Sequence, residues 1–142
     1  MSRSGRSISA LAAILVLSAC LDAAQSTTRF DGQKAFDHVR AMVALGPRPA
    51  GSAALAKTRD YIKKELSALG LTVEEQAFEA STPAGLIKMV NLRTVVGGPH
   101  TAKRIVVAGH YDTKLFKNVK FVGANDGGSS GAFLIVLDPA LA

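Results

Sequence analysis

A chain of 142 residues, 48% apolar, is long enough for one globular domain and too short for several. Its single Cys excludes an intrachain disulfide framework. Basic residues outnumber acidic ones 17 to 11, but two of the basic ones, Arg3 and Arg6, belong to a leader-like start; without residues 1–19 the balance is 15 to 11, a net of +4.

That start has a basic n-region, an apolar stretch from Ile8 to Leu17 too short to span a bilayer, and small residues at Ala12, Ala13, Ser18 and Ala19. Leu17-Ser18-Ala19-Cys20 resembles the bacterial lipoprotein cleavage box, in which the Cys becomes the acylated first residue. The expectation is a removed leader over 1–19, lipidation at Cys20, and export to the cell envelope with a membrane anchor. A plain secretory signal with an incidental Cys20 is the alternative. Residues 20–29 read as a polar tether, and the folded domain as 30–142.

From Asp31 the pattern is helical, with Ala35, Val39, Met42 and Val43 on one face and Lys34, Asp37, His38 and Arg40 mostly off it. Gly46-Pro47-Arg48-Pro49-Ala50-Gly51 cannot continue that helix. Ser52 suits the N-cap of a second one, striped by Leu55, Thr58 or Arg59, Ile62, Leu66 and Leu69, with Lys63 and Lys64 outward and Gly70 as its stop. Leu71 to Phe78 and Leu86 to Val96 read as strands joined by a turn at 81–85. Ile105 to Ala108 is short, apolar and β-branched, as in a strand buried on both faces. A last helix begins near Ser130, and Asp138-Pro139 predicts its stop after one to two turns. Together these elements predict an α/β fold, a mixed β-sheet sandwiched by helices. Lys114, Lys117 and Lys120 with Phe116 and Phe121 raise the question of a nucleic-acid patch, but no stripe of stacking residues accompanies them, so a solvated loop and no nucleic-acid partner are expected.

The chemistry lies at the end of the apolar run. His110 would sit at the carboxyl end of its strand, where open α/β sheets put their ligands, and Asp126 in a glycine-rich turn sixteen residues on. Imidazole and carboxylate are both good zinc ligands. Asp112, two residues from His110 on an extended segment, could accept the other ring N–H and fix the tautomer that faces a metal. Each piece also has an ordinary reading: a satisfied polar His at a strand end, and an Asp serving a turn or a helix cap.

The wording of the stretch goes further. GHYDTKLF followed by FVGANDGGSSGAF resembles the zinc aminopeptidase and glutaminyl cyclase superfamily, in which a His-x-Asp precedes a Gly-Ala-x-Asp turn. FDGQKAFDHVRAMVALGPRPAGS, TRDYIKKELSALG, FEASTPAG and MVNL extend the likeness over Phe30 to Val136. His-Tyr-Asp-Thr-Lys, Phe-Val-Gly-Ala and the Thr82-Pro83-x-Gly85 turn are most like the bacterial glutaminyl-peptide cyclotransferase branch. The resemblance implies Asp126 as a zinc ligand, His110 as ligand of a second ion in two-zinc members, and Asp112 as the carboxylate that orients His110. It also implies one or two zinc ions, a peptide or protein amino terminus as substrate, and a zinc Lewis acid acting on an amide carbonyl with a Glu as general acid/base. A cyclase turns amino-terminal glutamine into pyroglutamate with loss of ammonia; an aminopeptidase hydrolyses the first peptide bond.

The family's catalytic Glu, a further carboxylate ligand and a distal His follow the Gly-Ala-x-Asp helix, whereas this sequence stops at Ala142. Glu74 and Glu75 sit upstream in a predicted strand and read as surface residues, and His38 and His100 as solvated ones. The expectation is the amino-terminal half of the fold from a truncated or frame-shifted gene, inactive alone, poorly soluble and unable to hold zinc tightly. A non-catalytic envelope lipoprotein that keeps the scaffold for binding is the reading from another functional class.

Overall fold

The computed structural model describes residues 30–83, 85–97 and 103–141. The predicted leader, Cys20, the tether and His100 lie outside them. Helix α1 is Gly32–Ala44, α2 Ala53–Ala68 and α3 Ser129–Leu141; strands β1 (Glu74–Thr82) and β2 (Gly85–Arg93) form an antiparallel hairpin with Thr82 opposite Gly85. The Asp31 carboxylate accepts from the Lys34 amide at 2.9 Å, and the Ser52 hydroxyl from the Leu55 amide at 3.1 Å. Both helices thereby satisfy an N–H their first turn would leave orphaned.

The core is a helical layer. Met42 of α1, Ile62 and Leu66 of α2, and Ala132 and Ile135 of α3 are buried against one another, with Val39, Tyr61, Leu71, Val73, Leu92 and Tyr111 at the margin. Each fully buried aliphatic side chain contributes about 1.5–3 kcal/mol. The hairpin exposes most of its residues, so the helices carry most of the packing energy of the described residues. Thr58 rather than Arg59 completes the α2 stripe, fully buried with its hydroxyl donating to Ala54 O at 2.9 Å. Among the described residues no helix is long and apolar enough to cross a membrane.

Four sequence expectations change. The first strand starts three residues later than predicted, at Glu74, and runs into Thr82, because the hairpin closes between Thr82 and Gly85. The second stops at Arg93. Ile105 to Ala108 belongs to neither sheet nor core: Ile105 is 89% and Val106 87% exposed, and the sheet of the described residues is the antiparallel pair alone. An extended apolar segment becomes a central strand only when partners flank it. Helix α3 carries on across Asp138-Pro139 to Leu141 instead of stopping there; Ala132, Ile135 and Val136, all buried, anchor the preceding turns.

His38 is the fifth correction. It is buried, not solvated on a helix flank, because it shares the inward face of α1 with Met42 four residues on. Its Nδ1 lies 2.6 Å from the Tyr61 hydroxyl of α2. Glu74 and Glu75 are surface residues as expected, paired with Arg93 and with Lys63 and Arg59.

Candidate functional site

Two chain segments distant in sequence meet over the start of α3. In the first, Gly109 to Thr113, the His110 carbonyl accepts from the Ser130 hydroxyl at 2.6 Å, and the Tyr111 hydroxyl donates to Val90 O at 2.6 Å. In the second, Gly123 to Gly128, the backbone turns sharply: Asp126 is extended (φ −88°, ψ 103°) and Gly127 left-handed (φ 85°). A Cβ at Gly127 would lie 2.2 Å from the Asp112 carbonyl oxygen and 3.3 Å from His110 Cε1. Only glycine permits both that backbone conformation and that approach.

The turn brings Asp126 to the imidazole. His110 Nε2 lies 3.1 Å from Asp126 Oδ1, and His110 Nδ1 lies 3.1 Å from Asp112 Oδ1. All three side chains are about half exposed, at 54%, 44% and 52% for His110, Asp112 and Asp126. The expected convergence of His110 with Asp126, and of Asp112 with the far ring nitrogen, is the arrangement seen.

A neutral imidazole owns one N–H, yet a carboxylate faces each nitrogen here. With a neutral ring, one of the two contacts sets lone pair against lone pair, the kind of pair that a metal ion bridges. With ligand bonds of about 2.0–2.2 Å, two ligand atoms on one tetrahedral zinc stand about 3.3–3.6 Å apart, slightly wider than the pair seen here. The His110–Asp126 separation fits in kind. It falls short in number, because no group of three His, Cys, Asp or Glu able to hold a metal ion occurs among the described residues, and a catalytic zinc usually takes three.

Sequence reasoning missed Arg48. Its side chain is fully buried and donates to five backbone carbonyls: Nε to Tyr111 O at 3.3 Å, Nη1 to Met42 O, Gly46 O and Val122 O at 3.1, 3.2 and 2.8 Å, and Nη2 to Gly123 O at 3.1 Å. Its main chain pairs twice with Thr113, the Arg48 amide donating to the Thr113 hydroxyl and the Thr113 amide to Arg48 O, each at 2.9 Å. Burial lowers the guanidinium pKa, and the nearby charge of Asp112 opposes that shift.

Lys114, Lys117 and Lys120 lie on an exposed loop, with Lys114 over the Phe116 ring and Phe116 edge-on to Phe121 at 5.3 Å.

No family model matches the chain. It is 36% identical over 98 residues to the glutaminyl-peptide cyclotransferase-like protein of Mus musculus, a match covering 66% of this chain and 25% of that one. Among solved structures, it superposes on the glutaminyl cyclase of an Acidobacteriales bacterium with a TM-score of 0.70 at 39% identity, over 83% of this chain and 41% of the other. It superposes on a Zn-dependent exopeptidase from Parabacteroides distasonis with a TM-score of 0.72 at 25% identity, over 82% and 43%. The chain thus spans about a quarter of the length of the curated relatives it matches and about two fifths of the solved chains. By sequence and by fold, over the part of these proteins that it spans, the chain belongs to the zinc aminopeptidase and glutaminyl cyclase superfamily.

Proposed function

We propose that the chain contributes part of the site of a zinc-dependent glutaminyl-peptide cyclotransferase, which closes an amino-terminal glutamine to pyroglutamate. The observation that carries this reading is one imidazole held between two carboxylates, at 3.1 Å on each side, on a fold whose relatives include glutaminyl cyclases. Asp126 would hold zinc, with His110 as a ligand beside it in a two-ion arrangement and as a neighbour in a one-ion one. Bound there, zinc supplies a Lewis acid for an amide carbonyl. Asp112, 3.1 Å from Nδ1, would accept the Nδ1–H of His110 and so leave the Nε2 lone pair for the metal. In the overall reaction the substrate's amino nitrogen forms the ring C–N bond as the side-chain amide C–N bond breaks, and its proton leaves with ammonia. The whole reaction is proposed for a full-length protein carrying this sequence.

Export to the cell envelope and a lipid anchor at Cys20 belong to the same proposal, supported by Arg3, Arg6, the apolar run and the Leu17–Cys20 box.

The full-length gene product should release ammonia from a peptide that begins with glutamine. Asp112→Asn should lower the rate about 10–100-fold, and Asp126→Asn should lower it further. The likeness to the Zn-dependent exopeptidase supports a second reading, a zinc aminopeptidase. Release of the free amino-terminal residue without ammonia would decide for it, and neither product would refute both.

A further inference from the structure

We propose that Arg48 is a positioning residue for this site: its guanidinium sets the distance between the segment bearing His110 and the turn bearing Asp126. The inference rests on those two residues forming the site. Arg48 donates to Tyr111 O, one residue from His110, and to Val122 O and Gly123 O, four and three residues before Asp126. Nη1, which bonds Val122 O, also donates to Met42 O and Gly46 O at the end of α1. One planar group thus ties both halves of the site to the helical layer, while its main chain locks onto Thr113.

The chemistry needs a guanidinium. Five N–H donors in a rigid plane reach acceptors on three separate strands of chain, whereas a lysine ammonium concentrates three donors at one point. Met42 O and Gly123 O would keep the Leu45 and Gly128 amides as donors, but Gly46 O, Tyr111 O and Val122 O would lose the donor that Arg48 supplies, and a carbonyl left unpaired inside a fold costs more than the bond contributed. No hydrogen bond or ion pair joins Arg48 to His110 or Asp126 among the described residues. Its influence therefore passes through the backbone, and a change at Arg48 should loosen the site locally before it loosens the helices.

The test is amide hydrogen exchange on the full 142-residue chain, which needs neither metal nor substrate. In Arg48→Lys, the Gly128 amide, bonded to Gly123 O at 3.0 Å, and the Thr113 amide should exchange about tenfold faster or more. The Ile62 and Leu66 amides inside α2 should keep their protection. In Arg48→Ala, methylguanidinium should restore protection at Gly128, and methylammonium at the same concentration should not. Unchanged exchange at Gly128 and Thr113 would overturn the proposal. Equal loss across α2, or no recovery with methylguanidinium, would also overturn it, leaving Arg48 a general stabilising residue. Absence of ammonia release from the full-length product would fault the reading of the site and leave the exchange result standing.

Discussion

Gly127→Ala separates two costs that glycines usually carry together. At Gly127 the backbone is left-handed, with φ 85°, and an added Cβ falls 2.2 Å from the Asp112 carbonyl oxygen. At Gly70, behind α2, φ is 81° and a Cβ would meet nothing within 4 Å. Both positions carry a positive-φ penalty, about 1–2 kcal/mol for an L-residue, and the ψ of −38° at Gly127, outside the left-handed helical well, adds to it there. The crowding penalty belongs to Gly127 alone. Real Cβ atoms essentially never approach below 3.0 Å, so the gap to Asp112 must open from 2.2 Å by at least 0.8 Å. The obstruction is a backbone oxygen held by neighbouring hydrogen bonds, not the tip of a flexible side chain, so relief requires moving the His110–Thr113 segment itself. Overpacking of this kind costs about 1–3 kcal/mol.

Gly70→Ala should therefore destabilise the chain by about 1–2 kcal/mol and Gly127→Ala by about 2–5 kcal/mol. Urea unfolding followed by far-UV circular dichroism gives both numbers. The slope of stability against urea should be alike in the two variants, since each exposes the same surface on unfolding. Equal destabilisation of the two would refute the reasoning, because it would mean that the Asp126 turn does not press on the Asp112 carbonyl.

Burial lowers the pKa of His38 from its ordinary 6.5, with Glu65 and Asp37 opposing that shift, Lys34 adding to it and Tyr61 bonded to Nδ1. A depressed folded value means that the unfolded chain binds the proton first, so the contribution of neutral His38 is present above pH 6.5 and lost as pH falls through the lower folded value. Melting temperature should drop on acidification below pH 6.5, and an unchanged slope in His38→Gln would refute this. The exposed Ile105 and Val106 should drive self-association; Val106→Glu should raise the monomer fraction in sedimentation velocity, and an equal fraction in both proteins would count against an edge contact. With His110 and Asp126 as its only paired ligands among the described residues, the chain should bind zinc more weakly than micromolar by equilibrium dialysis, and Asp126→Ala should weaken it further. Sub-micromolar binding would overturn that.

The helices were readable because their signals are local. Asp31 and Ser52 cap as their side chains predict, and the spacing of Thr58, Ile62 and Leu66 names the buried face of α2. The pairing of Asp112 and Asp126 with His110 was also legible, since residues two apart on an extended segment share a side and a glycine-rich turn can deliver a carboxylate. What escaped depends on distant partners. Whether Ile105 to Ala108 forms a strand depends on what lies beside it, and apolarity alone does not supply a neighbour. His38 looked solvated because histidine is usually placed by its polarity, whereas here the Tyr61 hydroxyl accommodates one nitrogen inside the helical layer. Arg48 escaped because its acceptors are backbone carbonyls, and no sequence pattern marks a carbonyl.

These misses bear on what holds the site. From sequence, His110 is expected at the end of a buried strand, positioned by its sheet. That strand does not position it: Ile105 and Val106 are exposed, yet His110 and Asp126 still meet at 3.1 Å. Beside one bond from the Tyr111 hydroxyl to Val90 O of β2, the fixing contacts are Ser130 on the His110 carbonyl, Gly127 against the Asp112 carbonyl and Arg48 on the carbonyls of Tyr111, Val122 and Gly123. Local contacts of this kind survive changes at a sheet edge. Substitutions at Ile105 or Val106 should therefore alter association without disturbing the imidazole, whereas the smaller change at Gly127 should disturb it directly.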